Sequence, residues 1–215
     1  MIIPTNTALE EKLLVGFDGN PLGGLKTGWA VQVRGKPQAG TSTFCWNLVH
    51  SLAQLDGDTH AVWLDLDGSA TPELLRHVED DLDIIIMNTR EAKVVTDYMD
   101  AIANHVNLII LDKVDAFTTS GWNYLAYHCA RIASEYNVLV VAVSGEWYSP
   151  TNRVAFTAGE DLVRLYFTLG LSIDKGTAET VYSKVTRYPK RIRYEYGSEL
   201  RGVLPGPYRL PQRSV

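Results

Sequence analysis

The sequence predicts an α/β fold: a mainly parallel central sheet flanked by helices, with antiparallel strands toward the C-terminal end. Three observations carry that expectation. Short, continuously apolar runs alternate with longer segments of helical periodicity. The rhythm breaks after Val143, where turn-rich and then strand-like segments follow. Between the first strong strand and the first strong helix lies a turn with glycines at Gly35 and Gly40. Strand–helix alternation of this kind buries a parallel sheet on both faces.

In order, the runs at 29–33 (WAVQV), 60–66 (HAVWLDL), 83–88 (DIIIMN), 107–112 (NLIILD) and 137–143 (NVLVVAV) read as strands. Most are too continuously apolar to be half exposed. Between them, 41–55, 72–80, 91–104 and 122–136 read as helices, the last two with apolar residues at helical spacing. After Val143 comes the polar, turn-rich GEWYSPTNRVAFTAGED. The segments LVRLYFTLGLSI, ETVYSKVTRY and RIRYEYG then read as strands joined by tight turns. Residues 1–203 are expected to form one core. The Pro- and Gly-rich 204–215 reads as a tail.

Composition narrows the function classes. The chain has 215 residues, 46% hydrophobic and 21% charged, which fits a globular core rather than a disordered chain. A formal net charge of -5 gives no sign of a bulk-basic nucleic-acid binder, and leaves room only for a local basic patch. Cys45 and Cys129 are too few and too far apart for a disulfide framework or a zinc site. The five histidines show no paired ligand spacing. The N-terminal segment lacks the basic-then-apolar pattern of a signal peptide, and no apolar run approaches the roughly 18 residues of a membrane span. A cytoplasmic location is expected.

The segment Val33–Phe44 (VRGKPQAGTSTF) carries the first chemical signal. A phosphate-binding loop reads G-x-x-x-x-G-K-[ST]. Gly35 and Gly40 have that spacing, and Ser42 and Thr43 follow, but Thr41 stands where the lysine belongs. A loop that leaves a strand and opens a helix aims unpaired N–H groups and the positive helix end at an anion. Gly35, Lys36, Pro37, Gln38, Ala39, Gly40, Thr41, Ser42 and Thr43 are therefore the candidate nucleotide-binding residues, with Ser42 placed to reach Mg²⁺. The alternative is a plain glycine-rich strand–helix turn. The second signal is Asp112, a carboxylate at the end of an apolar strand and a candidate metal ligand. The third is the Asp65/Asp67 pair, which strand alternation puts on one side, where a carboxylate could orient an attacking water. Asp67 could equally be a turn or N-cap residue.

Taken in order, these segments resemble the RecA/RadA family of recombinase ATPases over nearly the whole chain. GGLKTGWAVQVRGKPQAGTST is similar to the Gly-Gly turn, strand and phosphate loop of that family. AVWLDLDGSATPELLRHV resembles the segment with its catalytic acid, and NLIILDKVDAF its Walker B strand. VVAVSGEWYSPTNRVAFTAGEDLVRLYFTLGLSI resembles its sensor strand and second DNA-binding loop, and ETVYSKVTRYPKRIRYEYG the basic hairpin beyond. The resemblance implies a RecA-like P-loop NTPase fold, ATP and Mg²⁺ as ligands, single-stranded DNA as partner, and self-assembly into a ring or filament. It implies a role in DNA recombination or repair.

The departures bear on catalysis. Thr41 removes the lysine, Asp65 and Asp67 stand for the usual Glu, and Ser144-Gly145-Glu146 replaces an Asn-Gln pair. The first DNA loop shortens to TTSG, and the family's N-terminal assembly region is nearly absent, as in a minimal, bacteriophage-type core. Hydrolysis is expected to be impaired. Glu146 joins Asp65 and Asp67 as a catalytic candidate. Lys36 folding back, or a neighbour's arginine, could replace the missing charge. Trp147, Tyr148, Arg153 and Phe156 combine aromatic faces with a cation, the usual means of holding unstacked bases. Lys184, Arg187 and Lys190 are the candidates for reaching a neighbour's nucleotide. Two alternatives stand beside this reading: a non-catalytic accessory or assembly protein on the same core, and a helicase or nuclease of a replication module.

Overall fold

In the computed structural model the described residues are 1–5, 12–55, 58–68, 82–145, 147–148, 155–156, 160–174, 177–186 and 191–193. In chain order the elements are β1 (Ile2–Ile3), β2 (Leu25–Lys26), β3 (Ala30–Gly35), α1 (Thr41–Ala53), β4 (Ala61–Asp65), β5 (Leu82–Ile86), α2 (Ala92–Ile102), β6 (Leu108–Asp112), α3 (Thr119–Tyr136), β7 (Leu139–Gly145), β8 (Trp147–Tyr148), β9 (Ala155–Phe156), α4 (Glu160–Tyr166), β10 (Leu169–Asp174), β11 (Thr177–Ser183) and β12 (Arg191–Arg193). An eight-stranded sheet runs β12-β11-β10-β3-β7-β6-β4-β5. From β10 to β5 all neighbours are parallel, whereas β10-β11 and β11-β12 are antiparallel. The chain is thus α/β, with a mostly parallel central sheet flanked by helices and antiparallel strands at its C-terminal side.

The sheet is parallel at its centre because its strands are apolar on both faces. Every residue of β3, β4 and β6 is buried. Alternation divides them between two cores. Val31, Val33, Ile110 and Val141 pack under Phe44, Leu48 and Leu52 of α1. Ala30, Ile109, Val140 and Ala142 pack on the other face against Trp122, Leu125 and Cys129 of α3 and Val95 and Met99 of α2. Both cysteines are buried free thiols, and burial pushes both thiol pKa values up.

Topology fixes where a ligand can enter. From β3 the chain crosses over β7 and β6 to β4, and later returns to lay β10 on the opposite side of β3. In parallel sheets the crevice beyond the strand C-termini at such a divergence is the binding position. The loop after β3 opens there.

Three expectations change. LVRLYFTLGLSI is not one strand: Glu160–Tyr166 is helical, and the strand begins only at Leu169. The Phe167 N–H donates to the Val163 carbonyl at 2.9 Å, the bond of a helical turn, and both side chains reach the α3-side core. TTSG is not a loop: Thr118 caps α3, its Oγ1 accepting from the Gly121 N–H at 3.3 Å, and 119–121 form the first turn. The 146–157 segment is not wholly irregular, because β8 and β9 pair antiparallel within it. The expected helix at 72–80 and the tail at 204–215 lie outside the described residues. Among the described residues, no helix is long and apolar enough to cross a membrane.

Candidate functional site

The glycine-spaced segment 35–41, the candidate phosphate loop, leaves β3 at its C-terminal end and runs straight into α1. Gly40 takes a left-handed conformation, φ 97°, at the helix cap. Gly35 is required by close approach: a Cβ there would collide with the Ile173 carbonyl of β10 and come within 2.9 Å of Thr41 Cγ2. The loop residues Gly35–Gln38 with Thr41 and Ser42 form one wall of a cleft of about 770 Å³. Leu66 and Asp67 beyond the end of β4, Lys113 and Asp115 after β6, and Ser144 and Gly145 of β7, next to Arg34 and Gly35 in the sheet, also line it. Asn88 and Arg90 reach it from the segment following β5.

Asp65 and Asp112 stand side by side, paired in parallel register at the ends of β4 and β6. Alternation points both toward the α1 face, with Trp63 and Ile110 two residues behind them. Asp65 is fully buried and Asp112 nearly so. The Asp112 carboxyl is held up at about 6: burial dominates, the Lys113 charge opposes it, the Asp67 and Asp65 carboxylates add to it, and a Trp63 hydrogen bond opposes it. Its Oδ1 is buried with no hydrogen-bond partner among the described residues. Trp63 itself stacks on Trp46 of α1, centroids 5.0 Å apart, so the indole that holds Asp112 is positioned by the helix the loop opens.

Asp67 lies beyond the strand end and faces Lys113, with Nζ–Oδ2 at 3.4 Å. Lys113 has left-handed backbone angles, φ 66° and ψ 61°, directly after Asp112. Asp115 accepts a hydrogen bond from the Gly145 N–H and so ties the tip of β7 to the segment after β6. Burial raises the Asp115 pKa, while that N–H bond and the Lys113 charge oppose the rise. The Lys36 ammonium pairs with Asp174 of β10 at 2.7 Å.

The remaining candidates are placed as follows. Ala39 is buried under the loop, and Thr43 is half-buried in the first turn of α1. Ser144 accepts from the Gln32 amide at 3.0 Å, and Tyr182 donates to the same Gln32. Trp147 pairs with Phe156 and Tyr148 with Ala155 across the β8–β9 ribbon, which follows β7 and the cleft. Lys184 lies at the other end of the sheet from the loop, beside Thr168. It donates to the Leu165 and Tyr166 carbonyls at 2.8 and 3.3 Å, where a cation suits a helix C-terminus. Its pKa is lowered by burial. Glu146, Arg153, Arg187 and Lys190 lie outside the described residues. Among the described residues, no group of three or more His, Cys, Asp or Glu side chains is arranged to hold a metal ion.

Sequence reasoning passed over Asn88, Arg90, Lys113 and Asp115. One signal was present: each lies just past an apolar strand, where parallel topology delivers residues to the crevice. The arrangement can cradle an anion on backbone N–H groups and a helix N-terminus, with cations and carboxylates in the same cleft. No protein-family model matches the chain, and no curated protein matches it.

Proposed function

We propose that this chain is a RecA-like, nucleotide-dependent single-stranded-DNA-binding protein of DNA recombination or repair, with ATP hydrolysis impaired by Thr41. One observation carries the reading. A glycine-spaced loop at the C-terminal end of β3 opens α1 into a cleft also lined by Asp67, Lys113 and Asp115, beside the buried Asp65–Asp112 pair. Loop N–H groups and the helix start suit phosphate oxygens. The Asp112 Oδ1, without a partner among the described residues, and the Ser42 hydroxyl in the cleft wall fit a hydrated Mg²⁺, which when bound would offset phosphate charge. Asp65 or Asp67 would orient water. Trp147, Tyr148 and Phe156 of β8 and β9 are aromatic residues of the type on which unstacked bases stack.

A specific observation favours a second reading, the non-catalytic assembly protein. Thr41 offers no charge, and Lys36 is engaged by Asp174. Thr41→Lys separates the two. In a working cradle it should raise ATP hydrolysis by at least roughly tenfold, equivalent to about 1.4 kcal/mol at the transition state. Asp112→Ala in the same background should abolish the gain. Steady-state phosphate release with single-stranded DNA present reads both. A folded, ATP-binding Thr41→Lys protein as inactive as the parent points to the assembly role.

A further inference from the structure

We propose that Lys113, held in a left-handed backbone turn after β6, supplies the phosphate-binding positive charge that Thr41 lacks. The inference rests on the nucleotide reading of the cleft. Simple alternation along β6 would send residue 113 to the face opposite Asp112. The left-handed turn breaks that alternation, and Lys113 lines the same cleft as Thr41 and Ser42. A non-glycine residue in this region is uncommon, and such residues cluster at ligand sites.

The surroundings suit a cation that exchanges partners. The other lysine of the cleft wall, Lys36, is drawn to the end of β10 by Asp174. Lys113 faces Asp67 at 3.4 Å with both side chains partly exposed, a weak pairing. A phosphate offers a stronger, charge-assisted bond to the same ammonium. Arg90, from the segment after β5, lines the same cleft and adds charge of the same sign. A cation delivered from the β6 side in this way leaves the loop itself needing only its glycines and N–H groups.

The test is equilibrium binding of ATP with Mg²⁺, and of inorganic tripolyphosphate without metal, by calorimetry, with melting temperature as the check on folding. Lys113→Gln should weaken both by about tenfold or more. Lys113→Arg should keep the affinity within about threefold, and Thr41→Lys placed in the Lys113→Gln background should restore it. Should Lys113→Gln not fold, Lys113→Gly, which relaxes the backbone, is read in its place. A lysine that merely balances nearby carboxylates predicts otherwise: a folded Lys113→Gln protein binding tripolyphosphate as tightly as the parent overturns the proposal. A parent that binds neither ligand overturns the nucleotide reading itself, and this inference with it.

Discussion

At the scale of single residues, Asp112 is the group whose chemistry is most shaped by its place. Its carboxyl is nearly buried and faces Asp65 and Asp67, with Lys113 as the opposing charge among the described residues and the Cys45 thiol nearby. Its pKa is therefore raised, from 3.8 to about 6. Between those two values the native state keeps a proton that the unfolded chain has released. Stability in the absence of divalent cations should thus fall as pH rises through that window, by on the order of 3 kcal/mol, and level off above it. Asp112→Asn should flatten that slope and raise stability at pH 7, while removing Mg²⁺-dependent nucleotide binding. Denaturant titrations from pH 4 to 7 check the first effect; a variant with an unchanged slope would show that Asp112 does not carry it. A buried acid that costs stability when ionised is consistent with a site built for a cation.

At the scale of elements, sheet register positions everything else. Parallel pairing of β4 with β6 brings Asp65 beside Asp112, and parallel pairing of β3 with β7 and β10 closes the loop against Ile173. The antiparallel side contains a close contact. Gly170 of β10 lies flat under the Tyr182 ring of β11, where the Tyr182 hydroxyl donates to Gln32 of β3. A Cβ at position 170 would enter the ring's van der Waals envelope. Gly170→Ala should cost about 1–3 kcal/mol by overpacking, and Tyr182→Leu in the same protein should recover part of it. Chemical unfolding of the single and double variants measures the coupling. Additive effects would show that the ring is not what the glycine accommodates.

At the scale of the molecule, the nucleotide reading predicts linkage between ligand and stability. Mg²⁺-ATP at a hundredfold over its dissociation constant should stabilise the protein by about 2.7 kcal/mol, seen as a rise in melting temperature that Lys113→Gln loses. The same reading predicts assembly. Light scattering at tens of micromolar, an order of magnitude suited to interfaces of standard size, should show oligomers that respond to nucleotide or single-stranded DNA. A strict monomer under every condition would count against it. Single-stranded DNA affinity should fall by roughly 1–3 kcal/mol for Trp147→Ala if bases stack on the β8–β9 ribbon.

The local pattern of the chain by itself determined the α/β class, the central strands and the strand–loop–helix unit at 33–44. Continuous apolar runs, helical periodicity and glycine spacing are all properties of neighbours in sequence, and the core they demand has few solutions. The same local view misread Glu160–Tyr166. Seven residues carry too little periodicity to separate helix from strand, and only the backbone bonding of the folded chain, such as Phe167 N–H to the Val163 carbonyl, decides. It also missed Lys113, because its usefulness depends on a backbone turn that no neighbouring residue announces. Which acids meet, Asp65 with Asp112, and which carboxylate each cleft lysine meets, Asp174 for Lys36 and Asp67 for Lys113, are set by strand order and register. Those are long-range pairings between residues dozens of positions apart, and only the tertiary structure fixes them.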